Sequence, residues 1–349
     1  MTTTPIDSST ALIQQIEQLA DKGLFLQAQA LMPQLAQVPS IEARLVEERL
    51  LHHLGAMRRS QALILRLWRQ QPQHAAVRNS YVQYLLRRQG PFAAWSLLQK
   101  FPFAFDAPPE VLGEWYGNWA ETYGMLRDFA SAEKYYQQAR QYAPNSVWLT
   151  TQWAYVCEKR DQYAQGVELM REVLVQRPHY RPAIQFLAHL LTLVGADDEA
   201  LDLLQQRFDQ SESAALGGQL FELQFERGLY REASATLDVC ERYAPLQEKN
   251  SQIWLASRRT DLALRLGNLA AAKDFARQVG SPFFDRIAER LQQDGALGKR
   301  VLLPVGFVRQ NYQTCVPATL AALSLYWQRA ADHLEIADEI SYDGTSNYN

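Results

Sequence analysis

A spacing of 34 residues constrains this chain more than anything else in it. Trp119-Ala120 returns as Trp153-Ala154, Pro144 returns as Pro178, and Leu187-Ala188 carries the first series one interval further. A fixed interval in this range marks a stacked helix-turn-helix array, in which each unit covers the apolar face of the one before it. The interval also settles a question of size. At 349 residues the chain exceeds what one compact core usually holds, whereas an array grows through neighbour contacts alone.

Composition narrows the setting. Hydrophobic residues make up 47% and charged residues 21%, the balance of a folded protein rather than a disordered one. The net charge is -3 with a pI near 6.1. No block of Lys and Arg supplies the footprint of a nucleic-acid binder, so no nucleic acid is expected as a partner. The first five residues have neither a basic stretch nor an apolar run, and no 18 consecutive residues are apolar, so neither a signal peptide nor a membrane span is expected. Cys157, Cys240 and Cys315 are odd in number and far apart, which argues against a disulfide framework and for a reducing, cytoplasmic setting. There is no CxxC or HExxH spacing, and His52-His53 has no third ligand in register. That pair is expected to be solvated or half-buried, and no metal or cofactor is expected.

Residues 1–9 are rich in Thr and Ser and are expected to be flexible. Three eroded helical pairs follow, broken near Gly23, near Gly55 and at Gly90-Pro91. The aromatic, Pro-rich stretch 101–109 forbids a continuous helix and is expected to be an irregular connection. The sharpest unit comes next, at 113–146. It carries Tyr116, Trp119-Ala120 and Tyr123 on a first helix, then Ala132, Tyr136, Ala139 and Pro144 on a second. Later units carry Trp153-Ala154, Gly166, Met170, Val173 and Pro178; Leu187-Ala188, Ala200 and Leu204; Ala233, Leu237 and Pro245; and Gly267-Asn268-Leu269 before Ala272. Ser281-Pro282 is a strong helix start, and the helix Phe283 to Gln293 is expected to cap the array. Residues 295–300 form a linker.

This pattern resembles the tetratricopeptide (TPR) repeat over roughly residues 40 to 280, with its specific motifs between 113 and 245. The resemblance implies an all-α fold over 10–294, a TPR-like α-solenoid in which helical hairpins wind as a right-handed superhelix. It also implies a concave groove, lined by the first helix of each hairpin, that binds a protein or peptide. By repeat position Glu121, Tyr155, Glu158, Gln185 and His189 face that groove. The family's clamp for acidic chaperone tails needs Lys and Asn where this chain has Gly117, Glu121, Thr151 and Tyr155. A basic or mixed peptide is therefore expected rather than an acidic tail. Cys157 replaces a usual aromatic and Gly166 a usual Ala. Cys157 and Cys240 fall at packing positions, as buried and inert thiols.

The chain changes character at residue 301. Val301 to Val308 is apolar and suits a short edge strand. Gln310 to Thr314 is turn-like, Cys315 opens a helix reaching about Arg329, and a second helix runs from about Asp332 to Ile340. A thiol in the first turn of a helix sits at the positive end of the dipole, which favours the thiolate. Thr314 can cap that helix, and the Cys315 backbone N–H together with the Gln310 side chain can form an oxyanion hole. With the loop Asp343-Gly344-Thr345-Ser346, the run resembles the start of a peptidase C39-like domain, a papain-like cysteine peptidase. The resemblance implies Cys315 as nucleophile and Gln310, or alternatively Gln313, as oxyanion donor. Gln310 stands five residues before the Cys where the family usually has six, and Val316 replaces its Gly. The family's His and Asp belong to the second half of such a domain, and His333 lies in the second helix, where the family's base does not. Residues 301–349 are thus expected to form a small α/β fragment of a papain-like domain, incomplete in this chain and inactive alone. Three functions follow. The chain is a TPR scaffold for peptide or protein binding, or it is part of a longer active cysteine peptidase whose solenoid recruits substrate, or it is a non-catalytic pseudopeptidase adaptor.

Overall fold

A computed structural model describes residues 8–101, 107–292 and 303–341. Residues 1–7, most of the Pro-rich connection, the 295–300 linker and the Gly-Thr-Ser loop lie largely or wholly outside these residues. The described chain is all-helical. Eight antiparallel hairpins stack in order, each written here as first helix then second. They are α1 (Ser8–Asp21) with α2 (Phe25–Ala30) and α3 (Met32–Leu35); α4 (Ile41–His53) with α5 (Met57–Gln70); α6 (Ala75–Gln89) with α7 (Pro91–Lys100); and α8 (Pro109–Met125) with α9 (Phe129–Tyr142). Next come α10 (Val147–Lys159) with α11 (Tyr163–Gln176); α12 (Arg181–Leu193) with α13 (Asp197–Asp209); α14 (Ala214–Glu226) with α15 (Tyr230–Tyr243); and α16 (Lys249–Arg265) with α17 (Leu269–Val279). α18 (Pro282–Arg290) packs on α17, where the sequence places a helix from Phe283 to Gln293. This is a TPR-like helical-repeat fold.

The repeat residues do what their sizes require. Ala132, Ala139 and Ala154 are fully buried where paired helices meet, and the Tyr136 ring stacks on Trp153 of the next hairpin at 4.6 Å. In seven of the eight hairpins the turn is a left-handed residue following the first helix: Gly23, Gly55, Arg127, Asp161, Gly195, Gly228 and Gly267. The residue after each donates its N–H back to a carbonyl in the last turn of that helix, as Asp128 does to Tyr123 and Gln162 to Cys157. Glycine adopts this conformation freely, whereas a side chain there costs about 1–2 kcal/mol. Arg127→Gly is accordingly expected to stabilise the chain by about 1 kcal/mol in chemical denaturation. Asp161→Gly is expected to gain less, because its carboxylate accepts hydrogen bonds from the Tyr163 hydroxyl at 2.5 Å and the Tyr312 N–H at 2.7 Å.

The stack closes on itself. The turn of the first hairpin meets the loop before α14, where the Glu212 N–H donates to the Gly23 carbonyl at 2.8 Å. The Glu212 carboxylate accepts from the Leu26 N–H at 2.7 Å, at the start of α2. One hairpin further along, the same arrangement recurs. The Leu246 N–H donates to Leu54 O, and the Glu248 carboxylate accepts from the N–H groups of Arg58, at 2.9 and 3.0 Å, and Arg59, at 3.2 Å, at the start of α5. The local N-cap residues of these two helices are Leu24 and Ala56, neither of which has a capping side chain. Carboxylates 186 and 190 residues away satisfy those orphan donors instead. An ion pair between Asp21 and Arg177 joins the same seam.

The C-terminal segment departs from its expected form. Residues 303–311 pair with no strand, and the α/β character expected of 301–349 is absent from its described part. A strand needs a partner, and here the Val305 N–H donates to Leu303 O within the segment. α19 (Cys315–Tyr326) and α20 (His333–Ile340) follow close to their expected bounds. Thr314 does not cap α19. Its hydroxyl instead exchanges hydrogen bonds with the backbone of Asn311. The segment docks on the α10–α11 turn through Asp161, with Lys159 facing the Tyr312 ring and Arg309 the Tyr163 ring.

Candidate functional site

Closure turns the expected open groove into a chamber. Four adjoining cavities share lining residues, so they read as one space. One, of about 510 Å³, is walled by α1 and α4 on one side and by Trp148, Tyr180, Arg181 and Pro182 on the other. A neighbour of about 310 Å³ shares Arg49, His53, Glu114, Trp148 and Arg181 and reaches across to Gln83 and Arg87. A third, of about 280 Å³, shares His52 and His53 and extends to Trp254. An open trough of about 540 Å³ completes it, lined by Tyr155, Gln185, Phe186, His189, Gln219, Glu222 and Trp254.

The structure brings three of the five expected groove residues, Tyr155, Gln185 and His189, together on that trough. Glu158 sits behind them, with its carboxylate 2.6 Å from His189 Nε2. Glu121 lies deeper and accepts from the Gln83 amide at 2.7 Å. Burial pushes the Glu121 pKa up, while that hydrogen bond and the charges of Lys159 and Arg87 pull it back. Lys159 is itself buried beside Glu121 and Glu158, and its pKa is lowered by burial against their pull. Glu121 and Glu158 are thus engaged inside the fold.

The free charge lies elsewhere. Arg181 opens α12 and lines the first two cavities. Its Nε is buried with no hydrogen-bond partner, and among the described residues no carboxylate forms an ion pair with it. Burial pushes its pKa down to about 10. The carboxylates around it are engaged: Glu17 with Arg49 at 2.7 Å, Asp21 with Arg177, Glu48 with the Ser60 hydroxyl at 2.6 Å, and Glu114 with the Asn79 amide at 3.1 Å. Arg181 was not among the expected groove residues. Its signal was present, because Arg181, Gln185 and His189 follow at i, i+4 and i+8 and so share one face of α12.

The half-buried pair His52-His53 also faces the chamber, with the His53 ring stacked on Phe25 at 4.1 Å. Burial and the nearby guanidinium groups of Arg181 and Arg87 push the His52 pKa down to about 4, and burial holds His53 well below its usual value. A histidine depressed in this way takes its proton first in the unfolded chain, so stability falls as pH drops from about 6.5 towards 4. Urea titrations are expected to show a loss of about 2 kcal/mol between pH 7 and pH 5 from His52 alone, and His52→Gln should flatten that part of the profile.

The peptidase-like residues are less assembled. Cys315 is exposed at the first position of α19 and Gln310 is exposed ahead of it, while Gln313 adopts a left-handed turn conformation. The His333 Nε2 lies 3.0 Å from Asn311 Oδ1, and no hydrogen bond joins His333 to Cys315. Cys157 and Cys240 are buried, and burial raises their thiol pKa values to about 11 and about 12, so both are inert thiols at neutral pH. No cluster of three or more His, Cys, Asp or Glu in the described residues is arranged to hold a metal ion, and no described helix is long and apolar enough to cross a membrane.

No protein-family model and no curated protein matches the sequence. Solved structures do share the repeat architecture at low identity. PilF of Pseudomonas aeruginosa is 12% identical, with 62% of this chain and 96% of that one covered, at a TM-score of 0.45. A tetratricopeptide repeat protein from Parabacteroides merdae is 14% identical over 68% and 94% of the two chains, at 0.41. The human IFIT1 dimer, solved with m7Gppp-AAAA, is 13% identical over 97% and 81%, at 0.44. These are likenesses of fold.

Proposed function

We propose that the chain is a TPR-type interaction scaffold that binds a peptide segment along the trough of its interior face. One observation carries this reading. The trough places Tyr155, Phe186 and Trp254 beside Gln185 and Gln219, and Gln219 Oε1 is buried without a hydrogen-bond partner. Aromatic walls with a few convergent amide groups match an extended backbone, whose N–H groups need acceptors and whose side chains need apolar cover. The partner is a protein or peptide rather than a nucleic acid. Fluorescence anisotropy of the full chain with labelled pentapeptide pools tests this. Saturable binding that Trp254→Ala weakens supports it, and no binding by any pool contradicts it.

A second reading concerns residues 301–349 and stands on the exposure of Cys315 at a helix start. Here Cys315 is the nucleophile and Gln310 the oxyanion donor of a C39-like peptidase. Iodoacetamide is expected to label Cys315 and spare Cys157 and Cys240, with no turnover of peptide substrates. Turnover by this chain would contradict the expected inactivity.

A further inference from the structure

The face of α12 that looks into the chamber is a stripe. Arg181 stands at its deep end, Gln185 one turn on, and His189 at the trough, a run of about 12 Å at 1.5 Å per residue. Gln219 joins this stripe, donating its amide to Gln185 O at 2.9 Å. Tyr155 lines the trough with Gln185 and Gln219. Two polar groups on the stripe lack partners within the fold, and they are of opposite kind. Arg181 is a fixed cation without a carboxylate, and Gln219 Oε1 is an acceptor without a donor.

We propose that Arg181 receives a carboxylate of a peptide bound in the chamber, while Gln219 Oε1 takes one of that peptide's N–H groups. This rests on the chamber being a peptide site and specifies the ligand's polarity. Of the basic or mixed peptides the sequence suggested, it selects a mixed one with its acid at the deep end. A guanidinium matches a carboxylate with two parallel hydrogen bonds. Burying such a cation unpaired is costly, so the free protein holds Arg181 at the expense of stability. An inorganic anion would satisfy Arg181 and leave Gln219 Oε1 unpaired. A peptide acid satisfies both, and about 12 Å accommodates three to four extended residues at roughly 3.3 Å each.

The test compares pentapeptide pools of matched composition against the full chain. One pool has a free C-terminal carboxylate, a second has an internal Glu and an amidated end, a third is neutral and amidated, and a fourth is basic and amidated. At least one acidic pool is expected to bind about tenfold more tightly than the neutral pool. Arg181→Gln should remove that preference while leaving the melting temperature equal or higher. Arg181→Lys, which keeps the charge but loses the fork, should retain only part of the preference. Gln219→Leu should weaken every pool that binds. Binding of all pools without an acidic preference would overturn this proposal and leave the scaffold reading standing. No binding by any pool would overturn both. A fall in melting temperature for Arg181→Gln with the acidic preference intact would show a structural arginine and overturn the proposal. Displacement of the acidic pool by equimolar inorganic phosphate, or tighter Arg181-dependent binding of a short RNA, would do the same.

Discussion

Replacing Glu212 and Glu248 together by alanine is expected to open the ring. Each carboxylate caps a helix that has no cap of its own, and each of these charge-assisted bonds reaches across the seam. Losing a cap typically costs about 1 kcal/mol, and more where the acceptor is ionised. The expected loss is therefore about 3 kcal/mol for the pair, concentrated at the seam. Hydrogen exchange should accelerate at Leu26, Arg58 and Arg59 and remain slow in α10 to α13, and the radius of gyration should rise. Unchanged exchange at those three amides would show that the two carboxylates do not hold the seam.

Glycine substitutions test the packing with comparable force. A Cβ on Gly217 would lie 2.5 Å from Phe208 Cε2 and closer still to Cys240 Sγ, both in the main core cluster. Gly217→Ala is expected to destabilise by about 3 kcal/mol, since neither neighbour has room to yield. Gly166 occupies the place where the repeat pattern usually has Ala, and its added Cβ would meet only the flexible end of Leu190 at 2.9 Å. Gly166→Ala gains about 1 kcal/mol of helix propensity against that shift and should come out near neutral. Equal losses for the two variants in guanidinium denaturation would contradict the packing described here.

Much of this architecture is legible in the sequence because it is local. The 34-residue interval places hairpins, Gly23, Gly55 and Gly267 mark turns, and Ser281-Pro282 marks a helix start. Arg127 and Asp161 occupy the same turn position without glycine and gave no signal of it. The seam is not legible, because Glu212 and Glu248 act on groups nearly two hundred positions away. Its faint trace is negative: Leu24 and Ala56 stand where a capping side chain belongs. Repeat position located Tyr155, Gln185 and His189, yet it could not show that Glu121 and Glu158 already have partners across neighbouring helices. Arg181 starts α12 beside a proline and reads as a helix-start residue until the ring brings α4 against it. The strand expected over 301–308 is not seen in its described residues, 303–308, for a similar reason. Its apolar composition suits a sheet edge, but pairing depends on a second strand that local sequence cannot supply.

Closure of the solenoid is the claim on which the chamber, the depressed histidines and the unpaired Arg181 all depend. It is tested most directly by Asp21→Cys with Arg177→Cys, introduced together in a Cys315→Ala background and treated with a short bismaleimide. These positions are 156 residues apart and in contact only across the seam. Rapid intramolecular cross-linking, seen as a shift in denaturing gel mobility and abolished when either cysteine is omitted, is the result expected of a ring. Absence of the cross-link, with both thiols shown to be reactive, would mean an open superhelix and would contradict the account.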